Sequence, residues 1–193
     1  MIEIYEESPS SLASYATVPS TILVREILEV VDVGDGIGGL QLVRRSLAAP
    51  YVKDYDAPAA QHPSRWGDRF SISGWGLLTG RLEGGDIARA AVAWSAREIR
   101  MLEGREDLAV LWDLRVAPQV QRRGIGTAMF RAAEDWAKSR GATLLKVETQ
   151  NVNVPACLFY SRQGCKLGAI HRYAYPALPH EAQLLWYKRL ARE

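Results

Sequence analysis

Residues 111–130, LWDLRVAPQVQRRGIGTAMF, run from an apolar strand through a proline into two glycines and on into an amphipathic helix. AVLWDLRV (109–116) reads as a buried strand stopped at Ala117-Pro118, since proline cannot donate to a ladder. Ile125, Met129, Ala132, Ala133, Trp136 and Ala137 recur at helical spacing on one face, and Gly141 stands where a left-handed residue ends a helix. A strand, turn and helix in this order aim the first amides of the helix, with the positive end of its dipole, at whatever lies above the turn. Gly124 and Gly126 keep that approach free of Cβ atoms, and Arg122 or Arg123 can add a charge-assisted contact, so the turn is a candidate pyrophosphate cradle. The alternative is a plain glycine-containing β-α turn. No G-x-x-x-x-G-K-[ST] occurs in the chain, so a P-loop is excluded.

A second glycine-rich stretch, VVDVGDGIGGLQLVRR at 30–45, also satisfies a phosphate-binding pattern, G-x-G-x-x-G, through Gly34, Gly36 and Gly39. A dinucleotide site needs a helix after those glycines and a parallel strand ending in an acid about 20 residues on. Asp54 and Asp56 stand at that distance, but LAAPYVK before them is short and broken by Pro50, and residues 41–47 alternate like a strand. The glycines therefore read as a turn between antiparallel strands, TILVREILEVVDV (21–33) and LQLVRRSL (40–47).

The stretch 49–68, APYVKDYDAPAAQHPSRWGD, holds three prolines and reads as a long functional loop. Residues 74–96 form a hairpin turning at Glu83-Gly84-Gly85-Asp86. TLLKVET (143–149) is a further strand, and Asn153 can cap a short helix over 154–163 with Pro155 in its first turn and Gly164 closing it. Two β-α units in succession imply parallel neighbours joined by a right-handed crossover. KLGAIHRYAY (166–175) and EAQLLWYKRL (181–190) alternate and make a last antiparallel hairpin. The expected class is α/β with a mixed sheet in one domain, 1–193.

Composition narrows the function. Apolar residues make up 48% and charged residues 24%, with a net charge of +2 and no basic stripe, so nucleic acid is excluded as the expected partner. No apolar run approaches the roughly 18 residues of a membrane span and the N-terminus lacks a signal-peptide pattern, so a cytoplasmic protein is expected. Cys157 and Cys165 form no C-x-x-C, and His62, His171 and His180 have no ligand spacing, so neither a disulfide framework nor a metal site is expected.

The run 111–130 resembles motif A of the GCN5-related N-acetyltransferases (GNAT), in which an I-x-x-L-x-V strand and a proline lead into [QR]-x-x-G-x-[GA]. Leu111, Leu114, Val116, Pro118, Gln121, Gly124 and Gly126 match it. The family's second signature, N-x-x-A-x-x-[LF]-Y followed by x-x-x-G-[FC], is met by Asn153, Ala156, Phe159, Tyr160, Gly164 and Cys165. Within the family, VETQNVNVPACLFYSRQGCKLG, RYAYPALPHEAQLLWYKRL and PYVKDYD look most like streptothricin acetyltransferases, which acetylate an amine of a polycationic antibiotic. The resemblance implies the GNAT fold: a mixed, mostly antiparallel sheet, flanked by helices, whose central parallel strand pair splays to bind acetyl-CoA. It also implies acetyl-CoA as cosubstrate, no metal, a small-molecule amine as acceptor, and a homodimer as a family expectation.

Acyl transfer then assigns roles. An alkyl ammonium of pKa about 10.4 must lose a proton, the thioester oxygen must be stabilised, and a leaving thiolate of pKa about 8.5 should be protonated. Tyr160, at the family's general-acid position, is the candidate acid; the alternative is a core tyrosine. Glu148, twelve residues earlier as in the ribosomal-protein acetyltransferase branch, is the first candidate base, and Asp113 the second, unless Asp113 positions substrate or is ion-paired. The resemblance places the oxyanion and pantetheine on the backbone of Leu114, Arg115 and Val116. It places the pyrophosphate on Gln121, Arg122, Arg123, Gly124, Ile125, Gly126 and Thr127, and the rest of the CoA arm near Asn153, Ala156 and Tyr160. Cys157 has no base beside it and reads as a buried thiol. For a cationic acceptor, Asp54, Asp56, Tyr173, Tyr175 and Glu181 offer carboxylates and aromatic faces, and Trp66 and Trp75 flank the long loop and can line the pocket. Other readings are a peptide or protein N-acetyltransferase and a non-catalytic acyl-CoA sensor.

Overall fold

The structure, a computed structural model, describes residues 2–96 and 98–190. In chain order its elements are β1 (Glu3–Glu7), α1 (Leu12–Tyr15), β2 (Thr21–Asp32), β3 (Leu40–Asp54), α2 (Trp66–Arg69), β4 (Gly76–Leu82), β5 (Gly85–Ala93), β6 (Leu108–Val116), α3 (Ile125–Ser139), β7 (Leu144–Gln150), α4 (Val154–Arg162), β8 (Lys166–His171) and β9 (Gln183–Arg189). The chain divides into two compact units: one takes residues up to Thr21, Asp54–Lys146 and Arg189 onward, the other Ile22–Lys53 and Val147–Lys188.

The first unit carries β1, β4, β5 and β6 side by side in that order, each antiparallel to the next, followed by the opening residues of β7. β6 and β7 are the parallel pair of a mixed sheet, with α3 as the crossover between them. Glu83 (φ 52°) and Gly84 (φ 80°) both take left-handed backbone at the β4-β5 turn, the twist that a two-residue hairpin prefers. α3 packs on β4, β5 and β6, burying Ile125, Met129, Phe130, Ala133, Trp136 and Ala137. Small residues let it come close. A Cβ on Gly76 would lie 2.2 Å from the Trp136 ring, and one on Gly80 2.9 Å from Met129 Sδ. Against Leu77, Ala91, Ala93 and Val110 an aromatic group of Tyr15, Trp66, Phe70, Trp75 and Trp112 forms a second core.

The second unit holds the β2-β3 ribbon, the remainder of β7, and β9 and β8 in that order, with β8 and β9 antiparallel. The glycine-rich stretch between β2 and β3 closes on itself: Gly38 N donates to Val33 O (2.8 Å) and Val33 N to Gly39 O (3.0 Å), and β3 follows at once with no helix. It is a turn. The reading of 49–68 as one loop is corrected, because β3 continues through Pro50 to Asp54. A two-stranded ribbon leaves each strand a free edge where a proline removes no ladder bond, and Tyr51 and Val52 favour extended backbone. The stretch 63–69 is also ordered, as the helical turn Pro63–Arg65 and α2, with Trp66 buried and its Nε1 donating to Gln61 O (3.0 Å). Among the described residues no helix is long and apolar enough to cross a membrane.

Candidate active site

In the first unit, the end of β6 and the start of α3 form one continuous turn. Gln121 Nε2 donates back to Val116 O (3.0 Å), tying the loop to the strand end, and Arg122 (φ 61°) and Gly124 (φ 82°) take left-handed backbone. Alternating backbone of this kind gathers successive N–H groups into an anion-binding concavity. The first intrahelical bond of α3 runs from Ala128 N to Gly124 O (3.0 Å), so the amides of Ile125 and Gly126 precede the ladder. A Cβ on Gly124 would meet nothing within 4 Å, and beside it lies a cavity of about 250 Å³ lined by Ile2, Leu82, Arg123, Gly124 and Ile125. Arg123, which lines it, and its neighbour Arg122 are both exposed. The residues present fit a pyrophosphate: open space, unladdered amides and cationic side chains meet at a helix N-terminus.

Residues 114–116 are the end of β6, with β5 along one edge: Ala90 faces Leu114, Arg89 faces Arg115 and Ala88 faces Val116. The register shifts where Ala91 faces Asp113 and Val92 faces Leu111, so Trp112 is an extra residue that bends the strand just before this segment. Arg89 and Arg115 thus lie opposite each other on adjacent strands, an unfavourable pair unless each is neutralised. Each is. Arg115 is forked onto Asp56 (2.8 and 3.2 Å), bonds Asp113 through Nε (2.9 Å) and donates to Val18 O (3.1 Å). Arg89 meets Glu7 (3.1 Å), Asp86 (3.0 Å) and Thr79, and the Tyr15 ring packs on both guanidiniums. Burial pushes the Asp113 carboxyl up from the usual range, against the opposing pull of Arg115. The second candidate base is therefore an ion-paired strand residue. Asp56, expected at the acceptor, is Arg115's partner, and Asp54 is exposed and accepts from Asp56 N (3.0 Å). Trp75, 4% exposed and stacked on Phe70, is core, and so is Trp66.

In the second unit, Asn153 caps α4 by accepting from Ala156 N (3.2 Å), with Pro155 in the first turn. Val154, Cys157 and Tyr160 make the buried face of that helix, and Tyr160 is 6% exposed with Phe159 edge-on at 5.2 Å. Burial pushes the Cys157 thiol up to about 11, so at neutral pH it is protonated and a poor nucleophile. Glu148 lies on β7, two residues before Gln150 and so on the same face. Its Oε1 accepts from the Tyr175 hydroxyl (2.6 Å) and its Oε2 from Gln183 Nε2 (2.6 Å). Gln150 Nε2 in turn donates to the Tyr175 oxygen (3.1 Å). Burial, and then the Glu148 charge, hold the Tyr175 phenol far above its ordinary range. Glu181 is buried against Lys53, while Tyr173 is 82% exposed.

Arg115 as a buried side chain, Tyr15, Gln150 and Gln183 escaped the sequence reading. Parity carried a signal for two of them: Glu148 and Gln150 on β7, and Asp113 and Arg115 on β6, are polar positions two residues apart that share one face of a strand.

The acetyltransferase (GNAT) family profile matches residues 41–165. Streptothricin acetyltransferase A of Bacillus subtilis (strain 168) is 35% identical over 81 residues, 41% of this chain and 47% of that protein, so the alignment spans about half of that relative's length. Streptothricin acetyltransferase of Escherichia coli is 27% identical over 184 residues, 93% of this chain and 91% of that protein. A crystal structure from Bacillus anthracis str. Ames, in complex with acetyl coenzyme A, superposes with a TM-score of 0.76 at 19% identity over 98% of this chain and 99% of that one, a likeness of fold.

Proposed function

The chain belongs to the acetyltransferase (GNAT) family, and from that premise we propose that it transfers an acetyl group from acetyl-CoA to a primary amine of a small polycationic molecule of the streptothricin class. The observation that carries the donor half is the Arg122–Gly126 turn, with its left-handed residues, unladdered amides and open cavity. The acceptor half is supported by the two relatives named for that antibiotic.

Acetyl-CoA, when bound, supplies the acetyl group as a thioester. The amides of Arg122 to Thr127, helped by the Arg122 and Arg123 side chains and with Gln121 tying the turn to β6, hold its pyrophosphate, and Asn153 and Ala156 meet the CoA arm. The backbone of Leu114, Arg115 and Val116 takes the pantetheine and stabilises the charge that develops on the carbonyl oxygen. Glu148 receives the proton of the attacking ammonium, directly or through water, and Tyr160 gives its phenolic proton to the departing sulfur. Glu148 is preferred to Asp113 because Arg115 already engages Asp113.

Thiol release from acetyl-CoA, measured against streptothricin, polyamines, aminoglycosides and N-terminal peptides, tests the reading. Turnover with streptothricin is expected. Turnover confined to peptides would make the chain a peptide acetyltransferase, and binding of acetyl-CoA with no turnover on any acceptor would make it a sensor. Tyr160→Phe should lower kcat by about 10²–10⁴-fold with little change in KM for acetyl-CoA; full activity in that variant across pH removes Tyr160 from the mechanism.

A further inference from the structure

We propose that Tyr175, with Gln183, is a positioning residue that fixes the Glu148 carboxylate in one orientation toward the acceptor amine. The proposal rests on the reading of Glu148 as the group that meets that amine.

A glutamate has three side-chain torsions, the last of them soft and two-fold, so an untethered carboxylate samples many orientations. Glu148 has a donor on each oxygen: the Tyr175 hydroxyl on Oε1 and the Gln183 amide on Oε2, each at 2.6 Å. Two donors on two oxygens stop rotation about the last torsion. The hydroxyl itself has one available direction, because Gln150 Nε2 donates to its oxygen from 3.1 Å and leaves the phenolic proton to Glu148. The backbone that carries the phenol is held as well: Leu178 N donates to the Tyr175 main-chain carbonyl (2.9 Å), and Pro176 follows it. The donors come from three elements: Gln150 on β7, whose Nε2 also reaches Glu148 Oε1 (3.5 Å), Gln183 on β9, and Tyr175 in the loop between β8 and β9. A carboxylate offers about four lone-pair directions, so these donors fix its orientation and still leave one for the amine proton or a water.

The same bonds bear on the acceptor contact expected of Tyr175. Its proton is spent on Glu148 and one lone pair on Gln150, so its polar end faces the carboxylate. Glu181 also acts on this phenol by charge, yet the hydroxyl bond goes to Glu148.

A double-mutant cycle tests this, since residues acting through one another are non-additive. Tyr175→Phe, which removes one oxygen and keeps the ring, should lower kcat roughly 10- to 100-fold, the scale of a misplaced reacting group, with KM for acetyl-CoA unchanged. Gln183→Met should do the same in the same range. In a Glu148→Ala background both substitutions should cost nothing more. Losses that multiply would mean that Tyr175 meets the acceptor by itself, and unimpaired Tyr175→Phe would mean that it does nothing; either result overturns the proposal. If Glu148→Ala keeps full kcat, the base assignment falls and the positioning role falls with it. The bond itself is read separately by ¹³Cζ-tyrosine NMR, with the Tyr175 signal identified by its loss in Tyr175→Phe. In Glu148→Ala, where the hydroxyl loses its acceptor, that signal should move from its position in the parent protein at neutral pH. An unmoved signal overturns the pairing even where the kinetics agree.

Discussion

Replacing Gly124 by alanine separates the cradle's two properties. In the free protein an alanine there must adopt φ near +82°, but its methyl meets no atom within 4 Å. The cost to stability is conformational only, about 1–2 kcal/mol. In a protein of this size that lowers Tm by about 2–8 °C. The methyl does occupy the space through which an anion would reach the amides of Ile125 and Gly126. Losing one charge-assisted hydrogen bond of about 1.5–3 kcal/mol weakens acetyl-CoA by about 10- to 150-fold. S-acetylpantetheine carries the same thioester without the pyrophosphate, so kcat/KM for that donor should hardly change. Steady-state kinetics with the two donors, alongside a thermal melt, read all three effects. An equal loss with both donors would show that the substitution damages the site generally. An unchanged KM for acetyl-CoA would refute the cradle.

The remaining predictions concern stability and reactivity. Gly76→Ala should destabilise by about 1–3 kcal/mol, the range for overpacking, seen as a lower urea midpoint: its Cβ would sit 2.2–2.6 Å from three atoms of Trp136. That ring cannot retreat cheaply, since Nε1 donates to Glu6 (2.8 Å) and Arg140 stacks on it at 3.7 Å. The Arg105 guanidinium and the Thr143 hydroxyl bond Asp107 and hold its carboxyl down at about 2. A folded pKa below the unfolded value of about 3.9 stabilises above that value, and the stabilisation is lost as pH falls from about 4 to about 2. Asp107→Asn should flatten urea midpoints over that window and leave the profile above it parallel to the parent. Cys157→Ala should retain kcat, and the folded parent should resist thiol reagents at neutral pH, because the buried thiol is held up to about 11; rapid labelling at Cys157 would contradict this.

Local physics made most of the scaffold legible. The helix over 125–139, the turn at Glu83-Gly84, the Asn153 cap and the glycine turn at 34–39 each follow from residues within one or two turns of one another. The loop assigned to 49–68 failed for a related reason: Pro50 stops a strand only where its missing N–H is needed, and a two-stranded ribbon has a free edge for it. Charged side chains were harder, because a charge does not name its partner. Asp56 looked like a loop acid free to meet a cation, yet it answers Arg115, 59 positions along the chain, and Glu148 is held by Gln183, 35 positions away. Trp66 and Trp75, flanking the long loop, looked like pocket walls and are core.

What those residues share is strand parity. Arg89 and Arg115 face each other across β5 and β6, and no sheet leaves two guanidiniums opposed and buried without acids to match. Once that register is known, Glu7, Asp86, Asp113 and Asp56 are needed for neutralisation and cannot also be counted as carboxylates for a cationic acceptor. Lys53 removes Glu181 from the same count. Of the catalytic and acceptor carboxylates that the sequence offered, Asp54 and Glu148 have no cationic side chain among their hydrogen-bond partners within the described residues, and Glu148 is the one ordered by neutral donors on both oxygens. Neutral donors orient a carboxylate without cancelling its charge, which is the state a group must be in to attract an ammonium and take its proton.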